Sequence, residues 1–166
     1  NVPEGALVTP LARQLALERK ILMRAVDHGP ESGSSKAIAL GADHGGYKQK
    51  ETLMHSLAEW GYEVLDCGTQ SDRPVDYPDY AFAVAQMVAN GRAWRGVMVD
   101  GAGIGSCMAA NKVPGVRAAM CYDQATALNS REHNDANLLT LGAGLIGENL
   151  AKSILNTFLS TTFAGG

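Results

Sequence analysis

The sequence has few of the features that mark disulfide-stapled, membrane-spanning or nucleic-acid-binding proteins. Only three of its 166 residues are cysteines, with neither metal-ligand nor disulfide-framework spacing, which favours a reducing intracellular compartment. No apolar run approaches the roughly 18 residues of a transmembrane helix, and the N-terminus shows no secretory signal pattern. Lys and Arg number 14 against 17 Asp and Glu, a net charge of −3 that is unlike a nucleic-acid-binding domain. We therefore expect a cytoplasmic protein with no nucleic-acid or membrane partner.

The sequence does contain enough apolar material for one domain with a short extension. Hydrophobic residues make up 46% of the chain, which suffices for a buried core without disulfide or metal staples. Residues 28–36 are rich in Gly and Ser and are predicted to be a flexible linker between an extension at 1–27 and a domain at 37–166. The extension is predicted to be one amphipathic helix whose apolar face is formed by Leu11, Leu15, Leu22 and Val26. Since one helix cannot bury its own apolar face, it needs a surface on its own domain, on a neighbouring subunit or on a partner protein.

Apolar strands alternate with helical patterns throughout residues 37–166. Predicted strands cover 37–41, 62–66, 96–99, 116–122 and 138–141, and predicted helices cover 47–60, 78–90, 123–133 and 148–158, with a short helix that ends at 111. This alternation predicts the α/β class: a doubly wound, Rossmann-like parallel sheet of five strands with helices on both faces. We expect the strand order 2-1-3-4-5, with a switch point between strands one and three where ligands bind beyond the carboxyl ends.

Polar and small residues follow the two strands that flank this switch point. Asp43 and His44 follow the first strand, and Asp100 follows the third, ahead of a glycine loop that contains Gly101, Gly103, Gly105 and Ser106. Small residues between a strand and a helix let backbone N–H groups approach a phosphate or an enolate oxygen, but such a loop also serves as a tight turn that packs a helix on the sheet. Asp100 is a candidate general base, and an Asp at this position equally suits the cap of the following helix.

Two other interpretations of these residues stay open. Asp43, His44 and Asp100, together with His133 at the end of a predicted helix, are a possible metal-ligand set. The glycine loop is also similar to a dinucleotide-binding fingerprint with Asp123 as the ribose-binding acid, but Ser106 stands where the third glycine belongs. The residues alone therefore predict a small anionic ligand in a cleft, and they do not name the reaction.

Six motifs follow one another between residue 37 and about residue 165. In chain order they are Gly41-Ala-Asp-His-Gly-Gly-Tyr-Lys48, Asp66-Cys-Gly-Thr69, Val75-Asp-Tyr-Pro78, Gly101-Ala-Gly-Ile-Gly105, Ala109-Ala-Asn-Lys112 and Arg131-Glu-His-Asn134. Together they resemble the type B ribose-5-phosphate isomerases and the related galactose-6-phosphate isomerase subunits.

The resemblance implies an enzyme that interconverts ribose 5-phosphate and ribulose 5-phosphate through a cis-enediolate, with no cofactor and no metal. Asp100 would be the base, His133 would help to open the sugar ring, and Asp43 would hold ring and hydroxyl oxygens. The family site lies at a homodimer interface, so a homodimer or a tetramer is expected. The remaining contacts to the sugar phosphate would come from His44, Tyr77, Asn134 and an anion hole at Gly101, Gly103, Gly105 and Ser106.

The sequence departs from the family at positions that carry its chemistry. Many members have a Cys base where Asp100 stands, others have a Glu at Ser106, and a small hydroxyl residue is common at Ala102. Cys107 is a second candidate for the missing thiol. Members usually have an Arg at Gly144 and a basic tail after the final glycines, so the phosphate clamp of this sequence is thin. These differences keep open an isomerase of another sugar phosphate, such as a six-carbon one, and a non-catalytic binding module.

The N-terminal extension lies outside the family pattern. A short amphipathic helix on a Gly/Ser linker is similar to the peptides that direct enzymes into bacterial microcompartments. The resemblance implies a shell protein as the partner of residues 9–27 and a location inside a microcompartment.

Overall fold

The computed structural model describes residues 2–3, 18, 25–26 and 36–165. The chain divides into two units, Asn1–Ser34 and Ser35–Gly166. In the first unit, β1 (Val2–Pro3) pairs in parallel with β2 (Ala25–Val26), and Glu18 is helical. The helix predicted for residues 1–27 lies mostly outside the described residues, as does the linker at 28–36 apart from Lys36. The prediction is wrong at Val26, because this residue pairs as a strand and its backbone is therefore unavailable to a helix.

In the second unit, five strands alternate with five helices. The strands are β3 (Ile38–Ala42), β4 (Val64–Asp66), β5 (Arg95–Asp100), β6 (Ala118–Met120) and β7 (Leu138–Gly142). The helices are α1 (Tyr47–Glu59), α2 (Tyr77–Ala89), α3 (Ile104–Ala110), α4 (Gln124–Glu132) and α5 (Glu148–Ser160). Every pairing between the strands of this sheet is parallel, which confirms the predicted doubly wound α/β sheet. Among the described residues, no helix combines the length and the apolar character needed to cross a membrane.

The predicted strand order is wrong at one end of the sheet. The order is β4-β3-β5-β7-β6, so the last strand lies between the third and the fourth strands of the domain. All five residues of β7 are buried, whereas the three residues of β6 are only partly buried. The more apolar strand gains more by lying in the middle of the sheet, where helices cover both of its faces.

Two apolar clusters form the core, one on each face of the sheet. The larger cluster packs α1, α4 and α5 against the sheet, with Leu53, Leu57, Ile154 and Phe158 fully buried. The smaller cluster packs α2 and α3 against the other face, with Ala81, Val84, Ala85 and Ala110 fully buried. The small side chains of α2 let this helix lie close to β3 and β5. Both clusters include buried residues of β3 and β5, and these two strands end in the residues of the predicted site.

A partly buried ion pair joins α1 to β4. The fully buried Lys50 donates to both carboxylate oxygens of Asp66, at 2.8 and 2.9 Å. The same carboxylate accepts the Gly68 N–H at 2.9 Å and the Gln70 side-chain amide at 3.0 Å. Partial burial alone would raise the pKa of Asp66, but these hydrogen bonds outweigh it and hold the pKa below its usual value. The network fixes the segment after β4 beside the end of β3, where Thr69 donates its N–H to the Ala42 carbonyl at 2.8 Å.

We expect Asp66→Asn to lower the free energy of unfolding at neutral pH by about 2 kcal/mol, because the buried Lys50 ammonium then keeps only Glu51 as an anionic partner. A quarter of the Asp66 side chain is exposed, which keeps the loss below that of a fully buried pair. Because folding lowers the pKa of Asp66, its contribution is complete above about pH 5 and is lost as the pH falls below about 3.9 through the folded value.

Urea unfolding of the wild type and of Asp66→Asn across this pH range measures the contribution. The difference between the two free energies should shrink on acidification, and a constant difference would contradict the assignment. Lys50→Met is the matched control, since it removes the buried ammonium itself and should cost less than Asp66→Asn at neutral pH.

Candidate active site

Two loops meet where β3 and β5 end, as the predicted switch point requires. The Asp43 N–H donates to the Val99 carbonyl at 3.1 Å, which ties the first loop to β5. Gly46 lies so close to the same carbonyl that an added Cβ would overlap it. At Gly45 an added Cβ would lie 3.5 Å from the Gly101 nitrogen. The absence of side chains at positions 45 and 46 therefore lets the first loop approach the glycine loop.

Asp43 is a largely buried carboxylate at this junction, with 8% of the residue exposed. Its Oδ1 accepts the Gly46 N–H at 2.9 Å, which is the one hydrogen bond of this side chain among the described residues. A carboxylate has about four acceptor sites, so Asp43 retains the capacity to bind hydroxyl groups.

Asp100 is enclosed by the glycine loop that follows it, and 5% of the residue is exposed. Its Oδ1 accepts the Ala102 N–H at 2.8 Å and also the Gly103 N–H. Its Oδ2 accepts the Ser106 N–H at 3.1 Å and also the Ser106 hydroxyl. Asp100 therefore shapes the loop and accepts an N–H group from the first turn of α3, whose N-cap residue is Gly103. This structural role is close to the helix cap that the sequence left open beside the general base.

The end of β7 supports the glycine loop from the other side. The Ala143 N–H donates to the Asp100 carbonyl at 2.8 Å, and the buried Thr140 hydroxyl donates to the Gly103 carbonyl at 2.8 Å. An added Cβ at Gly142 would lie 2.6 Å from the loop backbone. Sequence reasoning missed these residues because it placed β7 at the edge of the sheet. The sequence signal that could have identified them is Gly142, a glycine at the end of an apolar strand.

Tyr77 lies against the glycine loop, and His44 lies in the loop that follows β3. An added Cβ at Gly105 would lie 2.7 Å from the Tyr77 ring, so this glycine allows the ring to rest against the loop. The His44 Nδ1 lies 3.2 Å from the Val75 nitrogen and accepts its N–H when Nε2 carries the proton. Both side chains are exposed. The structure thus brings Asp43, His44, Tyr77 and the glycine loop together.

His133 and Asn134 do not join these residues within one chain. His133 follows the last residue of α4, and the segment that contains both residues leads into the amino end of β7. Asp100 pairs with Gly142 at the opposite end of that strand. The five residues of β7 separate the two ends by about 13 Å, so His133 and Asn134 lie at the other edge of the sheet. The Asn134 carbonyl accepts the Arg117 Nε–H at 3.1 Å, which holds the segment there.

Asp123 and Cys107, which the sequence offered as a ribose-binding acid and as a thiol base, are bound to neighbouring groups of the chain. Asp123 caps α4 by accepting the Thr126 N–H at 2.7 Å, and this bond and the Thr126 hydroxyl lower the pKa of Asp123. The Cys107 thiol donates to the Ala118 carbonyl at 3.4 Å and so faces β6. Of the possible metal-ligand set, His133 lies at the other edge of the sheet. Residues 2–3, 18, 25–26 and 36–165 contain no group of three or more His, Cys, Asp or Glu side chains that could hold a metal ion.

The fold and the site define a doubly wound α/β enzyme in which a glycine loop and two buried carboxylates lie at the switch point of the sheet. The chain belongs to the Ribose/Galactose Isomerase family, whose sequence model matches residues 38–166.

Individual relatives agree with this family. The chain is 43% identical to Ribose-5-phosphate isomerase B of Escherichia coli over 131 residues, which are 79% of this chain and 88% of that protein. It is 39% identical to D-erythrulose-4-phosphate isomerase of Pectobacterium atrosepticum over 132 residues, or 78% of this chain and 86% of that protein. The structure of Ribose-5-Phosphate Isomerase B of Clostridium thermocellum superposes with a TM-score of 0.78 at 48% identity, covering 78% of this chain and 88% of that one.

Proposed function

We propose that this protein interconverts ribose 5-phosphate and ribulose 5-phosphate. The observation that carries the proposal is the buried Asp100 at the glycine loop, in a chain that is 43% identical to a ribose-5-phosphate isomerase B. A base takes the proton from C2 of the open-chain aldose, and the electron pair moves through C1 to the carbonyl oxygen. The resulting cis-enediolate is protonated at C1 while a carbonyl forms at C2. No atom is gained or lost, so the reaction needs no redox partner.

The residues at the carboxyl edge supply the groups for this chemistry. Asp100 is the proposed base, and the N–H groups of the glycine loop are the proposed donors to the enediolate oxygen. Asp43 has free acceptor sites for sugar hydroxyls, and Tyr77 and His44 bound the crevice in which the sugar would lie.

We propose that His133 and Asn134 reach the sugar from a second copy of the chain. Within one chain they lie at the opposite end of the strands from Asp100. Contacts across a two-fold interface are reciprocal, so one interface can bring His133 and Asn134 of each copy to the Asp100 site of the other. Exposed apolar side chains on two helices that pack against each other support such an interface. These side chains are Phe82 on α2 and Ile104 and Met108 on α3.

A mixture of two inactive variants tests this shared site. Asp100→Asn and His133→Asn should each lose turnover, and subunit exchange between them should restore about a quarter of the wild-type rate. The reason is that half of the dimers are mixed and each mixed dimer has one intact site. Two copies of the same variant, treated in the same way, are the control. Failure of the mixture to regain turnover, with subunit exchange verified by mass spectrometry, would contradict a site shared between two subunits.

Conversion of ribose 5-phosphate by the purified full-length protein tests the function itself. We expect turnover without added metal or cofactor. A folded protein that isomerises another sugar phosphate and not ribose 5-phosphate would contradict the proposed substrate.

One observation favours a sugar phosphate other than ribose 5-phosphate as the second candidate substrate. Gly144 stands where the family usually has an Arg, and its N–H donates to the Gly101 carbonyl at 2.9 Å. An added Cβ at Gly144 would lie 2.9 Å from that oxygen, so a side chain would need the loop to shift. The substrate panel should therefore include a four-carbon ketose phosphate, because one relative is named for such a substrate, and a six-carbon aldose phosphate.

We also propose that residues 9–27 bind a microcompartment shell protein. The support is the sequence spacing of Leu11, Leu15 and Leu22 ahead of a Gly/Ser-rich segment, which resembles that of encapsulation peptides.

A further inference from the structure

We propose that the Asp100 carboxylate occupies the anion hole of its own glycine loop, and that Ser106 is the positioning residue that keeps it there. The substrate oxygen that becomes the oxyanion and Asp100 then compete for the N–H groups of Ala102, Gly103 and Ser106. This inference rests on the proposed function and adds that the base itself occupies loop donors until the substrate replaces it.

The hydrogen bonds of Asp100 account for its whole acceptor capacity. An ionised carboxylate offers about four acceptor sites on its two oxygens. In this structure four donors reach Asp100: the N–H groups of Ala102, Gly103 and Ser106, and the Ser106 hydroxyl. The carboxylate in this position has no acceptor site left for the proton of a sugar.

The same hydrogen bonds occupy three N–H donors of the loop, those of Ala102, Gly103 and Ser106, and leave those of Gly101 and Gly105 unbound to Asp100. A backbone N–H has one hydrogen to donate, so an N–H that binds Asp100 is not available to an enediolate oxygen. Both requirements of catalysis, a base with a free acceptor site and loop donors that face the substrate, are therefore met by one event. In this event the carbonyl oxygen of the open-chain aldose replaces Asp100 at the loop N–H groups, and it becomes the oxyanion when C2 loses its proton.

Three of the four donors are backbone N–H groups, and the Ser106 hydroxyl is the one side-chain donor. Ser106 is fully buried, and its hydroxyl and its N–H both donate to Oδ2 of Asp100. Removal of the hydroxyl therefore weakens the hold on one oxygen and leaves the three backbone donors in place. The loop has room for an exchange of partners at Gly101, where an added Cβ would meet no atom within 4 Å.

Binding of an enediolate mimic tests the competition. The probe is the hydroxamate of a four-carbon aldonic acid phosphate, whose planar oxygens imitate the cis-enediolate. Ribitol 5-phosphate, which has the phosphate but no such oxygens, is the control ligand. Calorimetry of the full-length protein should show that Ser106→Ala binds the hydroxamate about tenfold more tightly than the wild type, because one charge-assisted hydrogen bond to the competing carboxylate is lost. Affinity for ribitol 5-phosphate should not change.

Two further variants make the test decisive. Asp100→Ala, which removes the competitor, should gain more affinity for the hydroxamate than Ser106→Ala, and Ser106→Thr, which keeps a hydroxyl, should return towards the wild type. Amide proton resonances of Ala102 and Gly103 should move upfield in Asp100→Ala, since they lose a carboxylate partner, and they should report the same exchange when the hydroxamate binds to the wild type.

Equal or weaker binding of the hydroxamate by Ser106→Ala and Asp100→Ala, or no binding at all, would overturn the proposal. Unchanged amide resonances in Asp100→Ala would overturn it as well. A wild-type protein that does not convert ribose 5-phosphate contradicts the proposed substrate alone, because the order of hydroxamate affinities and the amide resonances still decide whether Asp100 occupies the loop.

Discussion

Asp100→Asn is expected to lower the turnover of ribose 5-phosphate at least about 100-fold, which is the lower end of the loss when a general base is removed. The amide that replaces the carboxylate cannot take the C2 proton. It keeps one oxygen for the N–H groups of Ala102 and Gly103, but its NH2 group faces the two donors of Ser106. The variant therefore tests the base while it preserves part of the loop. Steady-state rates, together with thermal unfolding to show that the protein is folded, measure the effect.

Asp100→Cys is the matched control for this experiment. A thiolate is the base that the resemblance assigns to many members of the family, so this variant should be more active than Asp100→Asn. Both variants lack the carboxylate oxygen that accepts the two hydrogen bonds from Ser106. Only Asp100→Cys supplies a group that can act as the base. Wild-type turnover in Asp100→Asn would show that Asp100 only holds the glycine loop and is not the base.

Gly46→Ala is expected to lower the free energy of unfolding by about 3 kcal/mol or more, because an added Cβ overlaps the Val99 carbonyl. The obstacle is a backbone atom of a central strand, which cannot turn aside as a flexible side chain would. The backbone angle φ at Gly46 is −95°, which every residue tolerates, so the requirement for glycine is the close approach and not the backbone conformation. The variant should also lose activity, since the Gly46 N–H holds Asp43.

Gly147→Ala is the control for the added methyl group. Gly147 also precedes a helix, its φ is −77°, and an added Cβ would meet no atom within 4 Å. Urea unfolding of both variants should show a large loss for Gly46→Ala and little change for Gly147→Ala. Similar stabilities for the two variants would mean that the loop after β3 moves away from β5 at little cost.

The distribution of roles between Asp43 and Asp100 follows from their surroundings. Both carboxylates are largely buried at the same junction, yet Asp43 accepts one hydrogen bond from a described residue and Asp100 accepts four. The sequence shows two aspartates after two strands and does not distinguish them. The structure distinguishes them because the loop after Asp100 turns back over its own first residue, whereas the loop after Asp43 leads away into α1.

The sequence by itself determined the features that depend on neighbouring residues. Alternating apolar strands and helical patterns predicted the five βα units, and the local motifs around Asp43, Asp100 and His133 were sufficient to identify the family. Hydrophobic periodicity and the residue types of loops depend on short stretches of chain, so they can be recognised without knowledge of the fold.

Only the tertiary structure decided the features that depend on residues far apart in the chain. β7 lies beside β5 because it buries more apolar surface at the centre of the sheet than β6 would. This position brings Gly142 against the glycine loop. The placement of His133 at the opposite edge from Asp100 follows from the direction of β7. The enclosure of Asp100 by four donors depends on the path of the loop through space, since strand pairing and loop closure are set by the burial of the whole domain and not by the residues that carry the motif.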